Sequence, residues 1–454
     1  MKTSRPTTEH GQALVIIALA AVALIAFAAL AVDGSAVFSD RRQSQNASDT
    51  AALAAALAKV RGNPNWQQAG IERAVSNGYD ESDGVTKVYV HLCNTSLVTD
   101  EGITLTCQGL PAGVDPAEYV HVYIKSVVKL YLARVIGWQQ VINHTDAVVR
   151  ATPPKIINWY NGKALVSVMQ GCRSPGDNYD PFVVGGSGTT VVNNSGIFVN
   201  STCDPAFEDN GNSNLVTTSQ SVCVVGGVAD DVDGVNPPPT EHCGTQINPS
   251  QYTLPDPSVY CTQPGTITGS GGNYIASPGY FNQTGSQTFP DISPSGVMKL
   301  QRGIYCLENG MSLNGNWTIT TDFNGDGHNP DTEGALFYIA DGDVTFNGGS
   351  TFNVHAINST AYNFPAALLN YLIYIPPANE ADVTITGNNG SIFTGTILAP
   401  ASHLTLDGSG NTFSLDTQII GYNVTITGSG QIDITYNQAN NAVTTTHPSL
   451  SAIE

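Results

Sequence analysis

The chain has 454 residues and a formal net charge of −20, with only 12% Asp, Glu, Lys and Arg and abundant glycine. That length calls for two or three domains, and so few charges point away from an ordinary cytosolic enzyme. Residues 154–454 hold five Lys/Arg (Lys155, Lys163, Arg173, Lys299, Arg302) against 24 Asp/Glu, a balance of −19. Five scattered cations cannot form a basic patch, so nucleic acid is excluded as a partner and divalent cations are favoured.

Residues 1–12 form a short polar lead carrying Lys2 and Arg5. Residues 13–32 (ALVIIALAAVALIAFAALAV) contain no charge, proline or glycine. Twenty residues give a rod of about 30 Å, enough to cross a bilayer core. Eleven of the twenty are Leu, Ile, Val or Phe, so insertion is favourable by a total on the order of 3–6 kcal/mol. The reading is a single-pass anchor with the C-terminal bulk outside. A cleaved secretory signal is the competing one, since Ala29-Leu30-Ala31 fits a cleavage pattern.

The helix is expected to resume beyond the membrane, with an alanine-rich stripe through Ala47, Ala51 and Ala54, and to stop at Gly62-Asn63-Pro64. A second short helix follows over residues 66–77. Residues 85–92 and 103–107 read as the two arms of a hairpin, residues 119–128 and 141–151 as strands. Residues 33–153 thus form a small α+β module.

Eight cysteines (Cys93, Cys107, Cys172, Cys203, Cys223, Cys243, Cys261, Cys306) all follow the apolar run, without CxxC spacing. An even number behind a membrane segment suggests disulfides in an oxidising compartment; the alternative is free buried thiols. Sequential pairing is the expectation, with Cys93–Cys107 first.

The segment from Gly11 to Ala58 resembles the N-terminal part of Flp/Tad pilus-assembly proteins of the TadE/TadG-like type. The matching features are the Gly11-Gln12-Ala13-Leu14 entry, the apolar helix, the Val32-Asp33-Gly34 exit and the block from Gln45 to Ala54. Leu132 to Gly137 (LARVIG), followed by a strand to Ala151, is also similar. The resemblance implies a pilin-like module that contacts other pilus-assembly subunits. Members processed like prepilins carry Glu five residues after the cleavage-site glycine. Here that position is Ile16, which suits a TadG-like protein that stays anchored.

Pro153-Pro154 marks the next boundary. Residues 154–300 read as a loop-rich acidic β region with short strands, and residues 437–454 as a polar tail. Between them, residues 301–436 carry a repeat: Val344 to Gly348 (VTFNG), Val383 to Gly387 (VTITG), Leu404 to Gly408 (LTLDG) and Val424 to Gly428 (VTITG). The starts are separated by 39, 21 and 20 residues. That sets a unit of about 20 residues, the first gap being read as two units. One such unit cannot bury its apolar face alone, whereas stacked neighbours can. The pattern resembles the right-handed parallel β-solenoid of the pectin-lyase-like class; a β-sandwich is the alternative.

Residues 322–333 fit a twelve-position calcium loop. Asp322, Asn324, Asp326, His328 and Glu333 are its candidate ligands, Gly327 allows the sharp turn, and strands are expected on both flanks. Structural Ca2+ is therefore the expected cofactor, and a metal-free acidic turn the alternative. Asp230, Asp231 and Asp233 make a weaker, partial relative of the motif. Asp341, Asp343, Asp407, Asp416 and Asp433 are the carboxylates that a glycoside hydrolase would need in pairs. Aspartates in Gly/Asp turns are usually solvated, so the reading is a non-enzyme presenting a surface for adhesion or assembly contacts, to a glycan or a protein. A surface-anchored carbohydrate-active enzyme and a structural surface-layer protein are the alternatives.

Overall fold

A computed structural model describes residues 10–172, 179–210, 215–230, 232–282, 287–292, 294–387, 390–408 and 413–452. Most of the expected polar lead, Arg173 and Asp231 lie outside these residues. The chain divides into two compact units: residues 1–155 together with 447–454, and residues 156–446.

In the first unit His10–Val60 is one unbroken helix of 51 residues, about 77 Å long at 1.5 Å per residue. It does not pause at Gly34. The side chains of residues 14–32 are almost all exposed, and burial begins at Asp33. From there Ala47, Ala51, Ala52, Ala55 and Ala56 are fully buried, with spacings of one, three and four that place them on one face. They meet Val88, Val90, Val120, Val122, Ile124 and Val149 of an antiparallel sheet. The sheet order is Lys87–Leu92, Tyr119–Lys129, Gln140–Thr152, Ser449–Ala452. A second helix, Trp66–Ser76, packs against the same stripe. A Cβ added at Gly70 would lie 3.0 Å from Ala55 Cβ and 3.2 Å from Val90 Cγ2. The small residues therefore set a close approach that larger ones would force apart.

One expectation is corrected here. The strand at Lys87–Leu92 pairs with Tyr119–Lys129, whereas Thr104–Leu105 pairs with Leu97–Val98, so the two are not arms of one hairpin. The disulfide Cys93–Cys107 holds that excursion to the end of the first strand. The polar tail expected at residues 437–454 carries two strands within residues 437–452. Val443–Thr445 pairs with Ile156–Asn158 in the second unit, and Ser449–Ala452 adds to Gln140–Thr152 in the first. The last strand, SLSA, is too short and polar to announce itself; it gains backbone bonds from an open edge and packs Leu450 on the core.

The second unit is β-rich, with mostly parallel pairing. In its middle each strand pairs with the third one after it. Val297–Leu300 pairs with Thr318–Thr320, Gly303–Leu307 with Ala335–Ile339, and Met311–Leu313 with Val344–Phe346. Three strands therefore make one layer, and layers repeat at about 4.8 Å. The repeated elements fall in one ladder, in register: Met311, Val344, Val383, Leu404, Val424, then Phe182 and Phe207. All seven are buried.

The spacing of 39 residues is thus corrected: Val344 and Val383 are direct neighbours. That layer carries an excursion between His355 and Tyr371 and does not hide a second repeat. The regions expected at 154–300 and 301–436 both lie in this unit. Leu165–Ser167, Phe182–Val184 and Thr189–Asn193 stack on the last C-terminal layer, through Leu165 beside Ile419 and Thr190 beside Ile432. The chain enters mid-stack, builds in one direction to Val235–Asn236, and then must return to the far end to start again at Thr266–Ser270.

The returning segment lies along an outward-facing ladder. In register, that ladder reads Cys223, Phe198, Val166, Ile420, Leu398, Tyr374, Tyr338, Cys306. Its two ends are the cysteines that fasten the segment, through Cys223–Cys243 and Cys261–Cys306. Seven steps span about 34 Å, well within reach of the chain from Cys243 to Cys261. Between the anchors Asn200 exchanges two hydrogen bonds with the backbone of Ile247, and Tyr252 packs on Trp159 and Tyr160. With Cys172–Cys203, the four pairings are sequential as expected.

Two outcomes follow. Ala55→Leu should destabilise the first unit by about 1–3 kcal/mol, read as faster amide exchange in both helices and not in residues 297–435. Replacing Cys261 and Cys306 by serine together should lower the stability of the second unit by roughly 3–4 kcal/mol from loop entropy, read in denaturant melts of the oxidised protein.

Candidate functional site

The acidic loop lies between the strands Thr318–Thr320 and Ala335–Ile339, which are consecutive strands of one layer of the second unit. Strands on both flanks match the expectation and set it apart from a helix–loop–helix calcium site. Asp322, Asp326 and Glu333 offer carboxylate oxygens that all lie within 4.8 Å of one another. Glu333 is buried, Asp322 half-buried and Asp326 exposed, so the cluster opens outward.

The loop is held by these same groups. Glu333 Oε1 accepts from the Phe323 N–H at 2.9 Å, and Oε2 from the Asn329 N–H at 2.8 Å. Asp322 Oδ1 accepts from the Gly325 N–H at 2.6 Å. Gly327 has φ of 101°, the left-handed turn expected at that position. Lys299 Nζ donates to the Phe323 carbonyl, and Arg302 Nη1 to the Pro330 and Glu333 carbonyls. Each carboxylate oxygen keeps a second lone pair. An all-oxygen set of three carboxylates therefore fits a hard divalent cation.

The five expected ligands do not all converge. Asn324 is exposed. His328 is not one of the three convergent groups: its Nδ1 lies 3.8 Å from Glu333 Oε2, and its ring stacks on His355 at 4.1 Å between centroids. An imidazole is a poorer ligand for a hard cation than the oxygens that surround it. Of the partial motif, Asp230 and Asp233 are described, while Asp231 is not.

The histidine pair borders a cavity of about 180 Å3 lined by His328, His355, Asn370, Thr394, Asp416 and Asn440, among others. His355, Thr394 and Asp416 are consecutive rungs of one outward ladder. Asn440 Nδ2 donates to Asp416 Oδ2 at 2.8 Å. Both His328 nitrogens, Asn370 Oδ1 and Asp416 Oδ1 are buried without a hydrogen-bond partner among the described residues. No sequence signal exposed this patch, because the excursion after His355 hides its register with Thr394. The other candidate carboxylates make local bonds: Asp341 accepts from the Gly342 N–H, Asp343 from the Asp382 N–H, and Asp433 from Gln431.

Burial, with His328 alongside, pushes His355 down from 6.5 to about 4, against the pull of Asp416, Glu333 and Asp322. Burial lowers His328 too. A group whose folded pKa is depressed stabilises above its unfolded value and loses that contribution as pH falls. The second unit should therefore lose stability as pH drops from 6.5 towards 4, and His355→Phe should flatten that slope in thermal melts. Independently, Glu333→Ala strips two loop N–H groups of their acceptor, at a cost of about 1–3 kcal/mol each where buried. Limited proteolysis should then cut within residues 322–333.

These observations define a class: a membrane-associated protein with one apolar helix, a small α+β unit and a large β-rich unit closed by disulfides. Residues 11–58 match the Tad family model, described as TadE/G-like proteins of Flp pilus assembly. The match takes in the apolar span and the alanine stripe. No curated protein and no solved structure matches the chain.

Proposed function

We propose that this protein is a membrane-anchored, extracytoplasmic component of Flp/Tad pilus assembly, which carries a β-solenoid as a surface for adhesion or assembly contacts. The observation that carries it is the helix. The family match covers both its apolar part and the stripe that packs on the sheet, so the matching residues build a unit as well as a span. The helix is the contact for neighbouring pilus-assembly subunits. Four disulfides favour an oxidising, extracytoplasmic location.

The solenoid reading rests on the parallel ladders with three strands per layer, where a β-sandwich would pair its strands antiparallel. Calcium is the cation for Asp322, Asp326 and Glu333, and its role is to stiffen the loop at the edge of the stack. The presented ligand is a glycan or a protein segment, met by outward polar ladders such as the one through His355, Thr394 and Asp416.

Chemical crosslinking in intact cells followed by purification of the full chain should recover Tad-type pilus components, and an empty recovery would reject the assembly role. Millimolar Ca2+ should raise the melting temperature of the second unit and protect the loop from protease. At 100 times Kd the gain is about 2.7 kcal/mol. Asp326→Asn should sharply reduce the gain while leaving the calcium-free melt nearly unchanged.

A further inference from the structure

Asp33 is the first charged residue after the apolar span, and it is buried although its neighbours Val32 and Ala31 are exposed. It is buried by a loop that follows the strand Tyr119–Lys129. Asp33 Oδ1 accepts from the Tyr131 N–H at 3.0 Å, and Oδ2 from the Leu132 N–H at 3.0 Å and the Ala133 N–H at 2.6 Å. One carboxylate thus takes three backbone donors that open the short 3-10 turn Ala133–Ile136. Asn143 Nδ2 ties the next strand to the same helix, donating to the Val37 carbonyl at 3.1 Å.

The loop is thereby fixed beside the helix at the level where the apolar span ends. Four of its side chains are exposed: Tyr131 by 75%, Leu132 by 42%, Val135 by 89% and Trp138 by 66%, while Leu130 is buried. Phe38 is exposed as well, about 9 Å further along the helix than Val32. Lys129 precedes the loop and Arg134 lies within it, both exposed. A cluster of tyrosine, tryptophan and aliphatic side chains with basic neighbours, next to a span, has the composition of a bilayer interface anchor. A water-facing loop has no reason to display it.

We propose that the loop at residues 130–138 is a second membrane contact, which inserts Leu132, Val135 and Trp138 among the lipids at the outer end of the span. Asp33 is the positioning residue that holds the loop at that depth. Two contacts on one rigid unit fix the tilt of the helix and the distance of the sheet from the bilayer, which a lone span does not. This rests on the span being retained as an anchor.

The test uses the full chain reconstituted in vesicles of phosphatidylethanolamine and phosphatidylglycerol, with Trp138→Phe as the reference. The difference between the two proteins reports Trp138 alone. Lipids brominated near the headgroup end of the acyl chain should roughly halve that difference, and aqueous iodide should barely touch it. Asp33→Ala should reverse the pattern while the protein still floats with the vesicles. If Trp138 is open to iodide and indifferent to bromolipid in a protein that floats, the loop contact is overturned and the anchor stands. Shielding from both quenchers overturns it in favour of a protein neighbour. Failure to float after an alkaline wash overturns the anchor, and this inference with it.

Discussion

The first helix imposes the governing constraint. Its apolar part finds no partner within the fold: none of its most apolar window is buried by the rest of the protein. Side chains of this kind cost about 25 cal/mol per Å2 to leave in water, as befits a membrane-associated helix. The same helix then continues without a break into the core of the first unit. A rigid element leaves the apolar span and becomes a packing surface within a few turns, because large aliphatic residues give way to alanine at the positions facing the sheet.

The β-rich unit solves a different problem. Its sequence enters and leaves at neighbouring places, since Ile156–Asn158 pairs with Val443–Thr445. A stack built in one pass would end far from where it began. Here the chain builds part of the stack, returns along one face, and builds the rest until the last layer meets the first. The return segment covers a ladder that would otherwise expose Phe198, Leu398, Tyr374 and Tyr338. Disulfides at both ends of that ladder fix the cover in place.

Much of this was legible in the sequence, each part for a physical reason. Hydrophobic length announces a span, alanine spacing a packed stripe, and sequential cysteines close local loops. The VTITG-like elements announced stacking because one ladder repeats the same alternation of apolar and polar residues. What sequence could not supply was long-range register. Nothing in Leu165 or Phe182 says that they continue a ladder begun more than 200 residues later. The excursion after His355 looked like a missing repeat. At the candidate site, local spacing correctly brought Asp322, Asp326 and Glu333 together, because a short loop leaves few alternatives. It did not foresee that His328 stacks on His355 from the next layer. The buried Glu118, bound by Arg150 at 2.8 Å and by Lys155, left no trace in local pattern either.

In the function proposed above, the helix stays attached and holds the β-rich unit outside the cell's membrane. Intact mass of the native protein from membrane and medium fractions, combined with protease treatment of whole cells, tests it most directly. The expected result is a membrane-bound chain that keeps residues 13–32 and whose residues 156–446 are lost to external protease. A soluble chain in the medium, lighter by the first 31 residues or so, would contradict it.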